Sequence, residues 1–268
     1  MLKICLPIIL FLFSISISAQ DIKTKIVKEY DVPASKQGVA VDSLHFYVIN
    51  NSTITKHIKS TGEQIKEWSD NDSLLNHLNS GIIIDGKLYC CNSNYPESPM
   101  ASSIEIFDPI TLEHLDNHSF GIFNGSATWI DKYKDFWYVA FAHYTGKGSE
   151  PGKDNSWSRL IKFDSEWRQI ESWIFPKELI KKFGIKSCSG GVILHDGQIL
   201  CTGHDLYEIY VLKFPEKGYT LEWHKTIPVG SYGQGIAYEK QGDAELIYGI
   251  VKKENKVVVT RVNSSIAQ

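Results

Sequence analysis

Long apolar runs are nearly absent from this 268-residue chain. The one exception stands at the start, where an apolar stretch from Ile4 to about Ile17 follows Lys3. It is short for a bilayer crossing, and no other run approaches the roughly 20 residues that a spanning helix needs. Small residues at Ser16, Ser18 and Ala19 complete the pattern of a secretory signal peptide. Residues 1–19 are therefore expected to be a leader cleaved near Ala19. Residues 20–268 would then form a single domain, secreted or periplasmic, with no membrane span. A lipobox cysteine is also missing, because Cys5 stands at the start of the apolar run and none directly follows it.

Runs of one charge are missing as well. The formal net charge is −3, and no Lys/Arg cluster stands out. Nucleic acid is not an expected partner of such a chain. Cysteine is scarce, and Cys5, Cys90, Cys91, Cys188 and Cys201 fit no zinc spacing. Adjacent Cys90 and Cys91 point to opposite faces of a strand. A tight hairpin around HDGQ sets Cys201 opposite about Val192, away from Cys188. Buried free thiols are expected rather than a disulfide framework. Aromatics, by contrast, make up 12% of the chain, including 7 Trp and 13 Tyr, as suits a strand-rich core.

An internal repeat carries the strongest pattern. Five segments share one grammar: QGVAVDSLHFYVIN (37–50), SGIIIDGKLYCCN (80–92), SATWIDKYKDFWYVAFA (126–142), GGVILHDGQILCTG (190–203) and QGIAYEKQGDAELIYGIV (234–251). Each reads as a hairpin of two apolar strands, A and B, around a turn containing Asp or Gly. A third strand, C, follows every hairpin, and a fourth, D, follows in four of the five units. The fifth unit runs out at the C-terminus, whereas TKIVKEYDVP (24–33) precedes the first hairpin unpaired. The repeat starts Gly38, Gly81, Ala127, Gly191 and Gly235 are separated by 43, 46, 64 and 44 residues, a period that matches four strands per repeat with one longer third unit. The chain is thus predicted to be all-β: a five-bladed β-propeller of four-stranded antiparallel blades, the N-terminal strand closing the last blade and leaving no free sheet edge. PKELIKKFGIKS (176–187) predicts one short helix, with Pro176 in its first turn and Gly184 at its end.

In such a ring the loops leading into each A strand and the loops joining B to C open on one face. The inward lead-in positions are Gln37, Ser80, Ser126, Ser189 and Gln234. The B–C loops carry Asn92, Asn94 and Tyr95, then His143 and Tyr144, then His204 and Asp205. The longest, residues 143–157, adds Lys147, and Arg159 follows it. Long loops on one face of a rigid scaffold are where binding concentrates. His143 and His204 can titrate near neutral pH or bond a hydroxyl; equally, His204 and Asp205 can satisfy each other and the loop backbone. His57, His114, His118 and His224 fall on outer strands and are expected at the surface. No carboxylate pair stands among the inward positions, which argues against a glycosidase of the two-carboxylate type. No G-x-S-x-G elbow occurs.

With NSGIIIDGKLYCCNSNYPESPMASSIEIFD, GSATWID, SCSGG and TGHDLYEIYVL taken together, the chain resembles a group of secreted bacterial β-propeller proteins of unassigned activity. That resemblance implies a fold and no catalytic roles. Gln37-Gly38 and Gln234-Gly235 more loosely resemble the blade starts of propeller glutamine cyclotransferases, whose glutamate-bearing acidic motif is not evident here. Three functions remain open. One is a module, expected to be monomeric, that binds a saccharide or other small polar ligand through the Asn/Gln/Ser ring and the aromatics Tyr95, Tyr144 and Trp157. Another is a His/Tyr-type polysaccharide lyase or hydrolase acting on a carboxylate-bearing glycan. There His143 or His204 would move a proton, Tyr144 would assist, and Lys147 or Arg159 would hold the carboxylate. The third is a protein-interaction propeller. No cofactor is assigned; two histidines and Asp205 can serve as metal ligands, but no spacing demands a metal.

Overall fold

In a computed structural model, five four-stranded antiparallel sheets stand in a ring as a five-bladed β-propeller. The structure describes residues 22–263 and Ile266. The expected leader and its cleavage point lie outside them. Blade 1 comprises β2 (Gly38–Val41), β3 (His45–Asn50), β4 (Thr53–Ile58) and β5 (Gln64–Ser69), from the axis outward. Blade 2 comprises β6 (Leu78–Ile84), β7 (Lys87–Ser93), β8 (Ser102–Phe107) and β9 (His114–Gly121). Blade 3 comprises β10 (Ser126–Tyr133), β11 (Phe136–Ala142), β12 (Arg159–Phe163) and β13 (Gln169–Ile174). Blade 4 comprises β14 (Gly190–Ile193), β15 (Ile199–Thr202), β16 (Glu208–Lys213) and β17 (Glu222–Pro228). Blade 5 takes β18 (Ala237–Gln241), β19 (Ala244–Val251) and β20 (Lys256–Val262) from the C-terminus and β1 (Thr24–Asp31) from the N-terminus. The β1–β20 pairing runs from Thr24 opposite Val262 to Asp31 opposite Lys256, which closes the ring as expected.

The apolar runs read as they do because both faces of each inner strand are buried, so apolar residues occupy odd and even positions alike. Successive residues then join different cores. Cys90 packs between blades 1 and 2 with Tyr47, Ile49 and Phe107. Cys91, its neighbour, packs between blades 2 and 3 with Ile130, Val139 and Ile161. Leu200 and Cys201 divide in the same way between two clusters. The expected helix, α1 (Lys177–Phe183), runs from Pro176 to Gly184 and buries Leu179, Ile180 and Phe183.

Two expectations are corrected. His57 is not at the surface: it lies on the third strand of blade 1, 3% exposed, its ring 4.8 Å from Phe46 and its nitrogens paired with Thr55 Oγ1 and the Gly62 carbonyl. Cys201 does pair in register with Gly191, near the position expected, yet its thiol hydrogen-bonds that of Cys188. All four described cysteines are free and buried.

The inner strands converge on a narrow waist built from glycine. A Cβ on Gly38 would lie 3.1 Å from Ser80 Cα and 3.2 Å from Gly235 Cα. One on Gly190 would lie 2.4 Å from the Gln234 carbonyl oxygen and 2.6 Å from Gly235 Cα. Hydrogen bonds stitch every neighbouring pair of blades. Leu78 N–H donates to the Asn51 carbonyl (2.7 Å), Ser80 Oγ to that of Thr128 (2.7 Å), and Gly235 N–H to that of Gln37 (2.9 Å). Ile193 N–H donates to Asp131 Oδ2 (2.6 Å), and Thr202 Oγ1 to the Gln234 carbonyl (2.6 Å).

Two outcomes follow from this geometry. Gly190→Ala drives a methyl group into backbone that cannot swing away, so it should lower stability by about 1–3 kcal/mol; an unchanged thermal melt would show that the waist is slack. Deleting residues 22–33 uncovers the edge of β20 and should produce aggregation on refolding, whereas a monomeric product by size exclusion, melting like the parent, would overturn the closure.

Candidate functional site

The waist divides the axis into two mouths. The face carrying the lead-in and B–C loops holds a cavity of about 280 Å³ to which all five blades contribute. Blade 1 supplies Gln37, blade 2 His77, Asn79 and Tyr95, and blade 3 Thr128 and Tyr144. Blade 4 supplies Lys186, Ser189 and His204, and blade 5 Gln234 and Lys252.

Local irregularities aim several of these side chains. The β6–β7 register jumps between Leu78 and Gly81, leaving Asn79 and Ser80 out of the pairing. The β10–β11 register jumps between Ala127 and Trp129, leaving Thr128 out. Such bulges redirect single side chains without breaking the sheet, and here they set Asn79 and Thr128 on the cavity wall. Gln234 occupies the left-handed region at φ 68°, where a residue other than glycine, Asn or Asp is uncommon. It is held there because its N–H donates to the Gly203 carbonyl (3.1 Å) while its own carbonyl accepts from Thr202. The aromatic side of the wall is a chain: His77 and Tyr95 lie 5.0 Å apart by ring centroids, and Tyr95 and Tyr144 lie 4.8 Å apart. Met100 and Ala142 pack beneath the two tyrosines.

The cavity is electropositive. Burial first, then the charges of Lys252 and Lys186, pushes the pKa of His77 down to about 4. Burial likewise lowers that of His204 against the opposing pull of Asp205, whose Oδ1 lies 2.6 Å from His204 Nδ1. Both rings are thus biased toward the neutral form. Burial raises the Tyr144 phenol to about 12, with a hydrogen bond to Ser126 opposing it; this phenol is a donor at neutral pH. Lys186 Nζ donates to Tyr95 Oη at 3.3 Å.

Of the expected site residues, Gln37, Tyr95, Tyr144, Ser189, His204 and Gln234 come together here. The others do not line the cavity. His143 is 2% exposed, turned inward behind Gly125, with Nδ1 2.9 Å from Glu150 Oε2. It therefore anchors the 143–157 loop and does not share the mouth with His204. Ser80 and Ser126 are buried between blades, bonded to the Thr128 carbonyl and Ser93 Oγ. Asn92 and Asn94 border a separate shallow depression with Ser102, Ser103 and Ser119. Lys147 is exposed on its loop. Arg159 reaches the Phe123 carbonyl at 3.5 Å, and Trp157 is 51% exposed. Asp205 is exposed and touches the site only through His204. Among the described residues no group of three His, Cys, Asp or Glu side chains converges on a possible metal position, so the two histidines and Asp205 form no shared ligand set.

Sequence reasoning passed over His77, Thr128, Lys186 and Lys252. Lys252 was within reach, because it follows β19 at the B–C position that His204 holds in blade 4 and His143 in blade 3. Lys186 sits between α1 and Ser187, in the insertion itself. Thr128 depends on a bulge that alternation alone does not mark.

The opposite mouth holds a larger cavity of about 410 Å³. Its walls are mostly aliphatic, from Val41, Ile82, Ile83, Val192, Ile193 and Ile236, with one buried carboxyl, Asp131. Both Asp131 oxygens already accept backbone N–H groups, from Lys132 (2.7 Å) and from Ile193 (2.6 Å). Size favours this mouth. Convergent polar groups, which fix a ligand's orientation, favour the other.

The fold and the axial cavity define a five-bladed propeller with a polar, cationic mouth. No protein-family model matches the chain, and no curated protein matches it. Solved structures do. A GH43_1 enzyme from Xanthomonas citri is similar at a TM-score of 0.58 and 9% identity, over 85% of this chain and 87% of that one. The PQQ-bound aldose sugar dehydrogenase from Streptomyces coelicolor is similar at 0.57 and 10% identity, over 91% and 99%. A luciferin-regenerating enzyme follows at 0.51 and 9%, over 91% and 95%. At these identities the likeness is one of architecture.

Asp131 gives this region a measurable pH signature. Burial lifts its pKa from 3.8 to about 7, against the two backbone N–H donors that favour the charged form. A carboxyl raised in the folded state contributes stability that is complete below its unfolded value and lost as pH rises through the folded one. Stability should therefore fall by on the order of 4 kcal/mol between about pH 4 and pH 7 from this group. Lys132, Lys134 and His195 share the rim. Denaturant melts of Asp131→Asn should show a flatter slope over this range, and a parallel profile would refute the assignment.

Proposed function

We propose that the chain is a secreted or periplasmic propeller that binds a saccharide or other small polar ligand in the axial cavity on the lead-in and B–C loop face. The observation that carries this reading is the convergence of Gln37, Asn79, Thr128, Ser189 and Gln234 from five different blades onto one pocket beside Tyr95 and Tyr144. Amides and hydroxyls bond hydroxyl groups, and tyrosine faces stack against sugar rings, so the pocket combines orientation with apolar contact. Its volume suits one small molecule or the end of a longer one. The left-handed Gln234 supports the reading, because backbone strain held in place by surrounding bonds concentrates at binding sites. Two proteins that share the architecture are a sugar dehydrogenase and a GH43_1 enzyme, which accords with a carbohydrate role. The apolar leader at residues 4–17 supports export.

A second reading rests on one geometric fact: Asp205 holds His204 Nδ1 at 2.6 Å. That contact fixes the imidazole's tautomer and leaves Nε2 free to act as a base, with the protonated Tyr144 phenol as a partner acid. A His/Tyr-type lyase or hydrolase would use such a pair.

Gln234→Gly separates binding from folding. Glycine relieves the strained φ while removing the amide, so the melting temperature should hold or rise as glycan-array binding disappears. Retained binding would remove Gln234, and with it the pocket, from the reading. Polysaccharide digestion read in parallel decides between module and enzyme: new unsaturated or reducing ends, abolished by His204→Ala, favour the second.

A further inference from the structure

Most lysines near carboxylates in this protein are paired: Lys59 with Glu239, Lys132 with Asp85, Lys153 with Glu150 and Lys182 with Glu208. Lys186 and Lys252 are different. Both line the axial cavity, and neither forms an ion pair with a described carboxylate. Lys186 is half-buried and directs one of its hydrogens to the Tyr95 phenol. Lys252 stands at the rim, where partial burial, then Lys36 and Lys186, destabilises its charge, and only the field of Asp205 works the other way. The two ammonium groups also act together on His77 and on His204. No carboxylate lines the pocket. Bringing like charges to one concave site is unfavourable for folding unless something of opposite charge arrives to offset it.

We propose that the ligand of this cavity is anionic: a small polyhydroxylated molecule whose charged oxygen group, a sugar carboxylate or a sugar phosphate, sits between Lys186 and Lys252. The inference rests on the binding reading above and narrows it. The amides and hydroxyls at the floor take the neutral portion of the ligand, and the two lysines near the opening take the anion. Neutral His77 keeps one ring N–H that can donate to it, whereas the N–H of His204 is held by Asp205. This assigns the anion to residues on blades 4 and 5, and not to Lys147 or Arg159, neither of which reaches the cavity. An interaction of this kind is a charge-assisted hydrogen bond in a partly water-excluded site, stronger than its neutral counterpart.

The test is calorimetric titration of the mature protein with glucuronate, glucose 6-phosphate and glucose, repeated on Lys252→Gln and Lys186→Gln. Lys252 is exposed, so its variant folds irrespective of the proposal, and melts of both variants verify folding. One of the two anions should bind about tenfold or more tightly than glucose, each lysine variant should weaken that anion about tenfold, and raised salt should weaken it further. Which anion binds identifies the charged group. Glucose binding as tightly as either anion would overturn the inference while sustaining the binding reading. So would folded lysine variants that bind the anions like the parent. Silence from all three at about 10 mM, a concentration that detects even millimolar dissociation constants, overturns the inference, and the glycan array then decides the broader reading by itself.

Discussion

Five inner strands can meet on one axis only where side chains do not collide, and the packing of glycine against glycine at Gly38, Gly190 and Gly235 is what lets them do so. The rest of the molecule hangs from this contact. The close approach sets Gly235 N–H on the Gln37 carbonyl, a bond between blades 5 and 1 at the waist. A polar cavity lies toward one mouth of the axis and a more aliphatic one toward the other. Gly191 has a related role at the next position along the strand, because a Cβ there would meet the Trp129 ring at 2.6 Å. That indole fills the gap between blades 3 and 4 and donates to Cys188 Sγ at 3.2 Å.

The site borrows its precision from the scaffold and its charge from the loops. Asn79, Thr128 and Gln234 sit at bulges or at a strained turn directly above the waist, where the backbone is tied on both sides. Lys186 and Lys252 come from an insertion and a tight turn, closer to solvent. Behind this layer, the long loop of blade 3 is organised by buried groups that never touch the cavity. His143 Nδ1 lies beside the Glu150 carboxylate, which pairs with Lys153. Asn155 donates its side-chain amide to the Gly184 carbonyl at 2.6 Å, joining the loop to the end of α1. These contacts tie the loop to the propeller at buried points away from the cavity.

The amino-acid sequence alone determined the ring. Repeating hairpins about 44 residues apart, a missing fourth strand at one end and a spare strand at the other leave one closed arrangement, because each pattern reports local pairing that the strand's own residues dictate. The sequence likewise determined which face carries the polar loops, since strand direction fixes on which side a connection emerges. The tertiary structure decided what those loops do. His143 and His204 occupy equivalent places in the repeat, yet one is buried against Glu150 and the other lines the mouth. Ser80 and Ser189 both lead into inner strands, yet one is consumed in a bond between blades. Those outcomes depend on bulges, on one left-handed residue and on contacts between segments far apart in the chain. None of them leaves a periodic trace in sequence, because each is set by which neighbour the closed ring happens to bring within reach.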